Sequence, residues 1–244
     1  MKAKKIKIKR KRKQTNKQKK YELHTHTKYS DCSNIEPINI LKKAKQKGLN
    51  GIAITDHNTI KGALQLKKLN EKSTENGFEI IIGEEISTDK GEIICLGLKK
   101  EIKPGKLFDV IHEIKKQKGI IGIPHPYGKG IVRKSLMLKL NKTEKEKLMK
   151  DIDYIETNNG RSTKTENKKA KKLCLLYRLT EVGGSDAHFI NEIGNIITII
   201  PANETLNTAI KKKKTYVLET NKSSWVLKIK SGILKLKKKM IKRN

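Results

Sequence analysis

The chain has 244 residues, 57 Lys and Arg against 25 Asp and Glu for a net charge of +32, and 4% aromatic residues. Residues 1–20 hold 12 basic residues and no acid, and residues 228–244 hold eight and none, so residues 21–227 keep only +12 and all the acids. The charge therefore belongs to the ends and does not exclude a folded core, for which about 207 residues are ample. Three widely spaced cysteines without a CxxC pair argue against a disulfide framework. No apolar run approaches a spanning helix or a signal h-region, and a reducing cytoplasmic setting is expected.

The chain divides into a basic tail, 1–20, expected to be disordered, a folded domain, 21–227, and a basic segment, 228–244. Within the domain, short β-branched runs predict strands at 21–25, 52–55, 79–82, 92–97, 120–123, 153–157, 180–184 and 196–200. Helical patterns lie between them at 37–47, 60–75, 106–117, 144–150, 164–177 and 204–213, with Thr59, Thr143 and Asn203 as candidate caps. Strand-then-helix repetition predicts parallel βα units, closed as a small barrel or left open as a doubly wound sheet. At the end, Val226, Ile229, Ile233, Leu236 and Met240 recur at alternating three- and four-residue steps among lysines. That pattern predicts an amphipathic helix whose apolar stripe packs on the domain, the alternative being a basic amphipathic helix for a membrane surface or nucleic acid.

Five of six histidines fall in or just after a predicted strand: His24 and His26 in HTHTKYSD, His57 in TDH, His125 in PHP and His188 in GSDAH. Asp31, Asp56, Glu84, Glu85, Glu156 and Asp186 accompany them. Strand ends of a parallel α/β fold converge on one face, so these groups are expected to meet in one cleft. His24 and His26, two apart on an extended segment, point the same way. Imidazole with carboxylate is a donor set for zinc, iron or manganese, and a carboxylate can bridge two ions. His112 falls inside a helix and reads as a surface or structural residue. Cys32 reads as a loop residue, since nothing places a base beside it.

HTHTKYSD (24–31), GIAITDHNTIKG (51–62), GEEIST (83–88), PHP (124–126) and GSDAH (184–188) resemble, in order and spacing, the motifs of the PHP (polymerase and histidinol phosphatase) superfamily. The resemblance covers about residues 20–215. It implies an α/β fold, a distorted (βα)7 TIM-like barrel, here with basic N- and C-terminal extensions, and two or three divalent ions (Mn, Zn or Fe). It implies metal ligands at His24, His26, Asp31, His57, Glu85, His125, Asp186 and His188, with Glu85 bridging and Asp56 in a supporting role. His57, Glu85 and His188 become the catalytic candidates, the two histidines for proton transfer to the leaving oxygen. The sequence departs from the family at Cys32, where glycine is usual. Residues 153–162 offer Glu156, Asn158 or Asn159 but no further histidine.

The implied activity is hydrolysis of a phosphoester by metal-bound hydroxide, on a nucleotide or short oligonucleotide. The alternatives are a histidinol-phosphate-type phosphatase and a nucleic-acid-binding protein with a secondary metal cluster. Arg161, Arg133 and Lys134 are candidates for holding substrate phosphate. The expected partners are a phosphorylated small molecule or short nucleic acid, with nonspecific nucleic-acid contact through residues 1–20.

Overall fold

A computed structural model describes residues 18–72, 77–128, 135–221 and 225–241. The expected disorder of residues 1–17, and the candidates Arg133 and Lys134, lie outside the described residues. The strands are β1 (Gln18–Glu22), β2 (Gly51–Ile54), β3 (Glu79–Ser87), β4 (Glu92–Leu96), β5 (Ile120–Ile123), β6 (Tyr154–Asn159), β7 (Thr180–Gly184), β8 (Ile196–Pro201) and β9 (Tyr216–Glu219). The helices are α1 (Pro37–Gln46), α2 (Lys61–Glu71), α3 (Leu107–Lys116), α4 (Lys142–Met149), α5 (Lys164–Leu176), α6 (Leu206–Lys211) and α7 (Trp225–Ile241). β1 opens three residues before the expected start of the folded domain. Two helices start on capping boxes, Asn141 with Glu144 and Thr163 with Glu166, and α6 starts on Thr205. Asn141 and Thr205 thus take the places expected for Thr143 and Asn203, while Thr59 Oγ1 accepts from Lys61 N–H at 3.3 Å at the start of α2 and donates to Glu101.

The strands form one nearly closed sheet in the order β7-β6-β5-β4-β3-β2-β1-β8-β9. Only β1-β2-β3 and β5-β6-β7 are parallel; β4 is antiparallel to both its neighbours, and β8 to β1 and β9. The expectation of parallel units throughout is thereby corrected. Between β3 and β4 the chain has four residues, too few for a crossover, and turns as a hairpin in which Thr88 N–H donates to Gly91 O at 2.6 Å. Closure between β7 and β8 uses a side chain: the Thr198 hydroxyl accepts from Gly183 N–H at 3.0 Å and donates to Gly183 O at 2.9 Å.

Side chains alternate across the sheet. Ile52 and Ile54 of β2 pack with Ile40, Leu41 and Leu66 of α1 and α2. Ala53 between them joins Tyr21, Ile81, Leu96, Tyr154, Val182 and Ile210, which fill the barrel. Each fully buried isoleucine or leucine contributes about 1.5–3 kcal/mol.

Glu22 is the polar group in this packing. Fully buried on β1, it accepts from the backbone N–H of Ser185 (2.9 Å), Gly194 (2.9 Å) and His24 (3.1 Å), and from the Ser185 hydroxyl. Burial pushes its carboxyl up to about 7 against the pull of these bonds. A carboxyl raised on folding stabilises the fold below its ordinary range, and that contribution is lost as pH rises through about 7. Glu22→Gln should flatten the pH dependence of unfolding between about pH 4.5 and 7, where one such group gives a slope of up to about 1.4 kcal/mol per unit. Chemical denaturation across that range checks it; an unchanged slope contradicts it.

α7 corrects the last expectation. Its apolar stripe faces solvent, with Ile233 49%, Leu236 58% and Met240 68% exposed, while Ser231 is buried against the barrel. The polar side packs inward because it has partners there. Arg161 donates to Ser231 Oγ at 2.6 Å and Leu227 O at 3.1 Å, and Lys238 Nζ donates to Ser33 O at 2.7 Å. Among the described residues no helix is long and apolar enough to cross a membrane.

Candidate metal centre

The parallel strands deliver their next residues to one rim: β1 leads to His24 and His26, β2 to Asp56 and His57, β5 to His125, and β7 to Asp186 and His188. Backbone bonds join these segments. His26 N–H donates to Ala187 O at 2.9 Å and Ala187 N–H to His24 O at 3.1 Å, which locks the two histidine-bearing tails side by side. Glu85 N–H donates to Asp56 O at 3.1 Å, which sets His57 beside Glu85. His125 and Asp186 take left-handed backbone angles, φ 26° and 54°. Such positions cost about 1–3 kcal/mol each and persist where the surroundings impose them. Gly184, just before, is needed for space, since a Cβ there would lie 2.5 Å from His24 Cβ and 2.6 Å from Glu156 Oε1.

Glu85 lies at the middle. Its Oε2 is 3.5 Å from His24 Nε2, 3.4 Å from His26 Nε2 and 3.1 Å from His57 Nδ1, and its Oε1 is 2.9 Å from His125 Nε2. Asp186 Oδ1 stands 3.7 Å and 3.4 Å from the same nitrogens of His24 and His26. Glu84 points the other way and accepts from Ile102 N–H at 3.0 Å. Strand alternation thus separates the two adjacent glutamates.

The outer ring nitrogens are occupied. His24 Nδ1 bonds Glu156 Oε1 at 2.9 Å, His26 Nδ1 lies 3.3 Å from Ser30 Oγ, and His188 Nδ1 bonds Asp186 O at 2.7 Å. Nδ1–H donation leaves the Nε2 lone pairs turned inward. His24 Nε2 and His26 Nε2 then face each other at 3.2 Å. Two lone pairs so close repel unless a proton or a metal cation lies between them, and buried imidazoles set among carboxylates are a donor set that fits divalent ions.

The charges follow the geometry. Burial opposes a charged His24, but the carboxylates of Glu156, Asp186 and Glu85 outweigh it and raise its basicity. Burial opposes ionisation of Glu85 too, yet His57 and His24 hold it well below the carboxylate range. Burial brings His57 down to about 3. His188 is also lowered, by burial and then by Arg161. Lowered basicity favours the neutral imidazole that ligates a metal ion.

Seven of the eight residues proposed as ligands converge: His24, His26, His57, Glu85, His125, Asp186 and His188 each fall in a set of three or four donors within 4.8 Å of one another. Asp31, half-buried, is in none of these sets; its neighbour Cys32 is, with His26, His57 and His188. Burial pushes the Cys32 thiol far above its usual range. Asp56 accepts from Thr27 N–H (2.7 Å), Thr27 Oγ1 (2.6 Å) and Ser30 Oγ (2.6 Å). It holds the loop that turns Cys32 inward. Arg161, a candidate for phosphate, is buried, pairs with Glu192 at 3.2 Å and holds α7. His112 is exposed on α3.

Sequence reasoning missed Glu92. Its carboxylate stands with His57 and Glu85 because β4 runs antiparallel and brings its first residue to the site. The hairpin turn STDKGE was the available signal.

Comparison with known proteins bears on this geometry. The PHP domain profile matches residues 22–176, and that of the PHP-associated region matches 164–215. The chain belongs to the PHP domain family. An uncharacterized protein of Methanocaldococcus jannaschii, MJ0417, is 33% identical over 213 residues, 86% of this chain and 83% of its own length. A second from that organism, MJ1587, is 46% identical over 113 residues, 42% of this chain, which covers 64% of that relative. The PHP fold is shared with a two-domain Bacteroides vulgatus protein containing a predicted PHP-like metal-dependent phosphoesterase. That match has a TM-score of 0.67 at 22% identity and covers 83% of this chain and 65% of the other.

Glu156 is the support of this PHP centre. Besides His24 it accepts from His125 N–H at 2.8 Å and Asn159 Nδ2 at 2.9 Å, and Asn159 also donates to Asp186 at 3.2 Å. Partners of this kind typically set metal affinity by about 10–100-fold. Glu156→Gln should weaken Mn²⁺ binding by that factor in a calorimetric titration; unaltered affinity would show that His24 needs no orienting carboxylate.

Proposed function

We propose that this PHP domain hydrolyses phosphoesters with divalent metal ions, and that its substrate is a nucleotide or short oligonucleotide. The observation that carries the reading is the single Glu85 carboxylate set among four imidazole nitrogens, with two inward nitrogens 3.2 Å apart. His24, His26 and Asp186 would hold one ion, and His57, Glu92 and His125 another, with Glu85 shared. When bound, Mn, Zn or Fe ions supply Lewis acidity and a nucleophile at neutral pH.

The residues of the chain do the rest. Glu156 and Ser30 hold His24 and His26 in the tautomer that ligates. Asn159 aims Asp186. Burial of Glu85, His24 and His26 keeps bulk water from screening the charge that develops on phosphate. The 20 basic residues of the two ends favour a polyanionic substrate. This bias supports nucleic-acid fragments over histidinol phosphate, which carries one phosphate.

Chelated protein reloaded with Mn²⁺, Zn²⁺ or Fe²⁺ tests the reading against a nucleoside bisphosphate, a 5′-phosphorylated oligonucleotide, histidinol phosphate and an aryl phosphate. Turnover that requires metal and is fastest on the first two is the expected result. Turnover of none, with any metal, overturns it. Preference for histidinol phosphate overturns the substrate class alone.

A further inference from the structure

Helix α7 lies beyond residues 22–215, the span matched by the two family profiles. Helical spacing puts Leu227, Ser231, Lys235 and Lys238 on one side. That side is anchored to the barrel twice. Near its start, Arg161 bonds Leu227 O and Ser231 Oγ; near its end, Lys238 Nζ bonds Ser33 O at 2.7 Å and Ser30 O at 3.3 Å. Those two carbonyls bracket Cys32, whose thiol belongs to the donor set with His26, His57 and His188. Lys235 stands between the anchors, one turn past Ser231 and three residues before Lys238, and is half-buried.

It thus lies on the docked side of the helix, in the turn between Ser231, bonded to Arg161, and Lys238, bonded to the two carbonyls that flank Cys32. Among the described residues Lys235 Nζ makes no hydrogen bond or ion pair, whereas Lys238 and Arg161 are bonded to the protein. A cation turned toward a centre built for divalent cations is repelled unless an anion lies between. A phosphoryl group with several charged oxygens can face both.

We propose that Lys235 is a substrate-binding residue whose ammonium takes a phosphoryl oxygen of the ester held at the metal centre. The proposal rests on the phosphoesterase reading above and assigns its phosphate contact to a helix outside the family match. Arg161, the contact expected from sequence, acts by holding that helix in place.

Inorganic phosphate titrated calorimetrically into Mn²⁺-loaded protein is the test, with metal content measured on each sample. Lys235→Ala should weaken phosphate binding by about 10–100-fold, the worth of a hydrogen bond to a charged group, at unchanged metal content. Lys237→Ala removes the same charge from the outward side of the helix, where Lys237 is exposed, and should leave binding within about twofold. Lys235→Arg should recover most of the loss, which shows that the helix stays docked. With an aryl phosphate, Lys235→Ala should raise KM more than it lowers kcat.

Equal behaviour of Lys235→Ala and Lys237→Ala overturns the proposal while an active wild type leaves the phosphoesterase reading standing. A wild type that loads metal but neither binds phosphate nor cleaves any ester overturns both. Loss of metal from Lys235→Ala would make it a support of the centre and also overturns the assignment.

Discussion

Glu85→Gln is expected to lower phosphoester turnover by more than about 100-fold, beyond the cost of losing a partner that merely orients a ligand. Glu85 faces His24, His26, His57 and His125 at once, and it carries the charge that balances them. The amide keeps the shape and one acceptor oxygen but no negative charge, so neighbouring cations lose their common counter-ion. Steady-state turnover and metal content per chain check this together. Retention of full metal content with more than a tenth of the activity would remove Glu85 from the centre of the account. The adjacent Glu84→Gln should leave turnover unchanged, because its carboxyl faces Ile102 on the other side of β3. Burial has already pushed that carboxyl up to about 8, so it is neutral near pH 7.

The second large effect is one of stability. Arg161→Met should destabilise the fold by about 3–5 kcal/mol, the cost of stranding the partner of a buried ion pair. That partner, Glu192, is fully buried, and its Oε2 also accepts from the N–H of His188 (2.9 Å) and Phe189 (3.1 Å). Loss of the guanidinium leaves this carboxylate beside His188 and releases α7, which it holds at Leu227 and Ser231. Urea denaturation should show the loss, and hydrogen exchange should show α7 opening before the barrel. A loss below about 1 kcal/mol would mean that Arg161 behaves as a surface charge, the reading that fits its residue type but not its burial.

The histidine-bearing strand ends were legible because a local rule sufficed: β-branched runs end, His and Asp follow, and parallel strands bring their C-terminal ends together. The same rule hid what the antiparallel strand contributes. A short apolar run such as EIICL looks alike in either direction, so nothing local marks β4 as antiparallel or singles out Glu92 at its start. Cys32 escaped for another reason. Its inward position depends on Asp56, 24 residues later, gripping Thr27 and Ser30. No local pattern carries that tie. β9, an exposed edge strand of four residues, has too little apolar contrast to stand out. For α7 the three- and four-residue spacing identified the helix and its stripe correctly but not the side that docks. Hydrogen bonds to Arg161 and to the loop carbonyls decide that side, and they turn the apolar stripe to solvent.

Anomalous diffraction from crystals grown with Mn²⁺ tests the central claim most directly. The account predicts anomalous peaks within bonding distance of the Glu85 carboxylate and of His24, His26 and His57, absent from crystals of Glu85→Gln. Peaks elsewhere on the chain, or none at this rim in protein that is saturated with Mn²⁺, would contradict it.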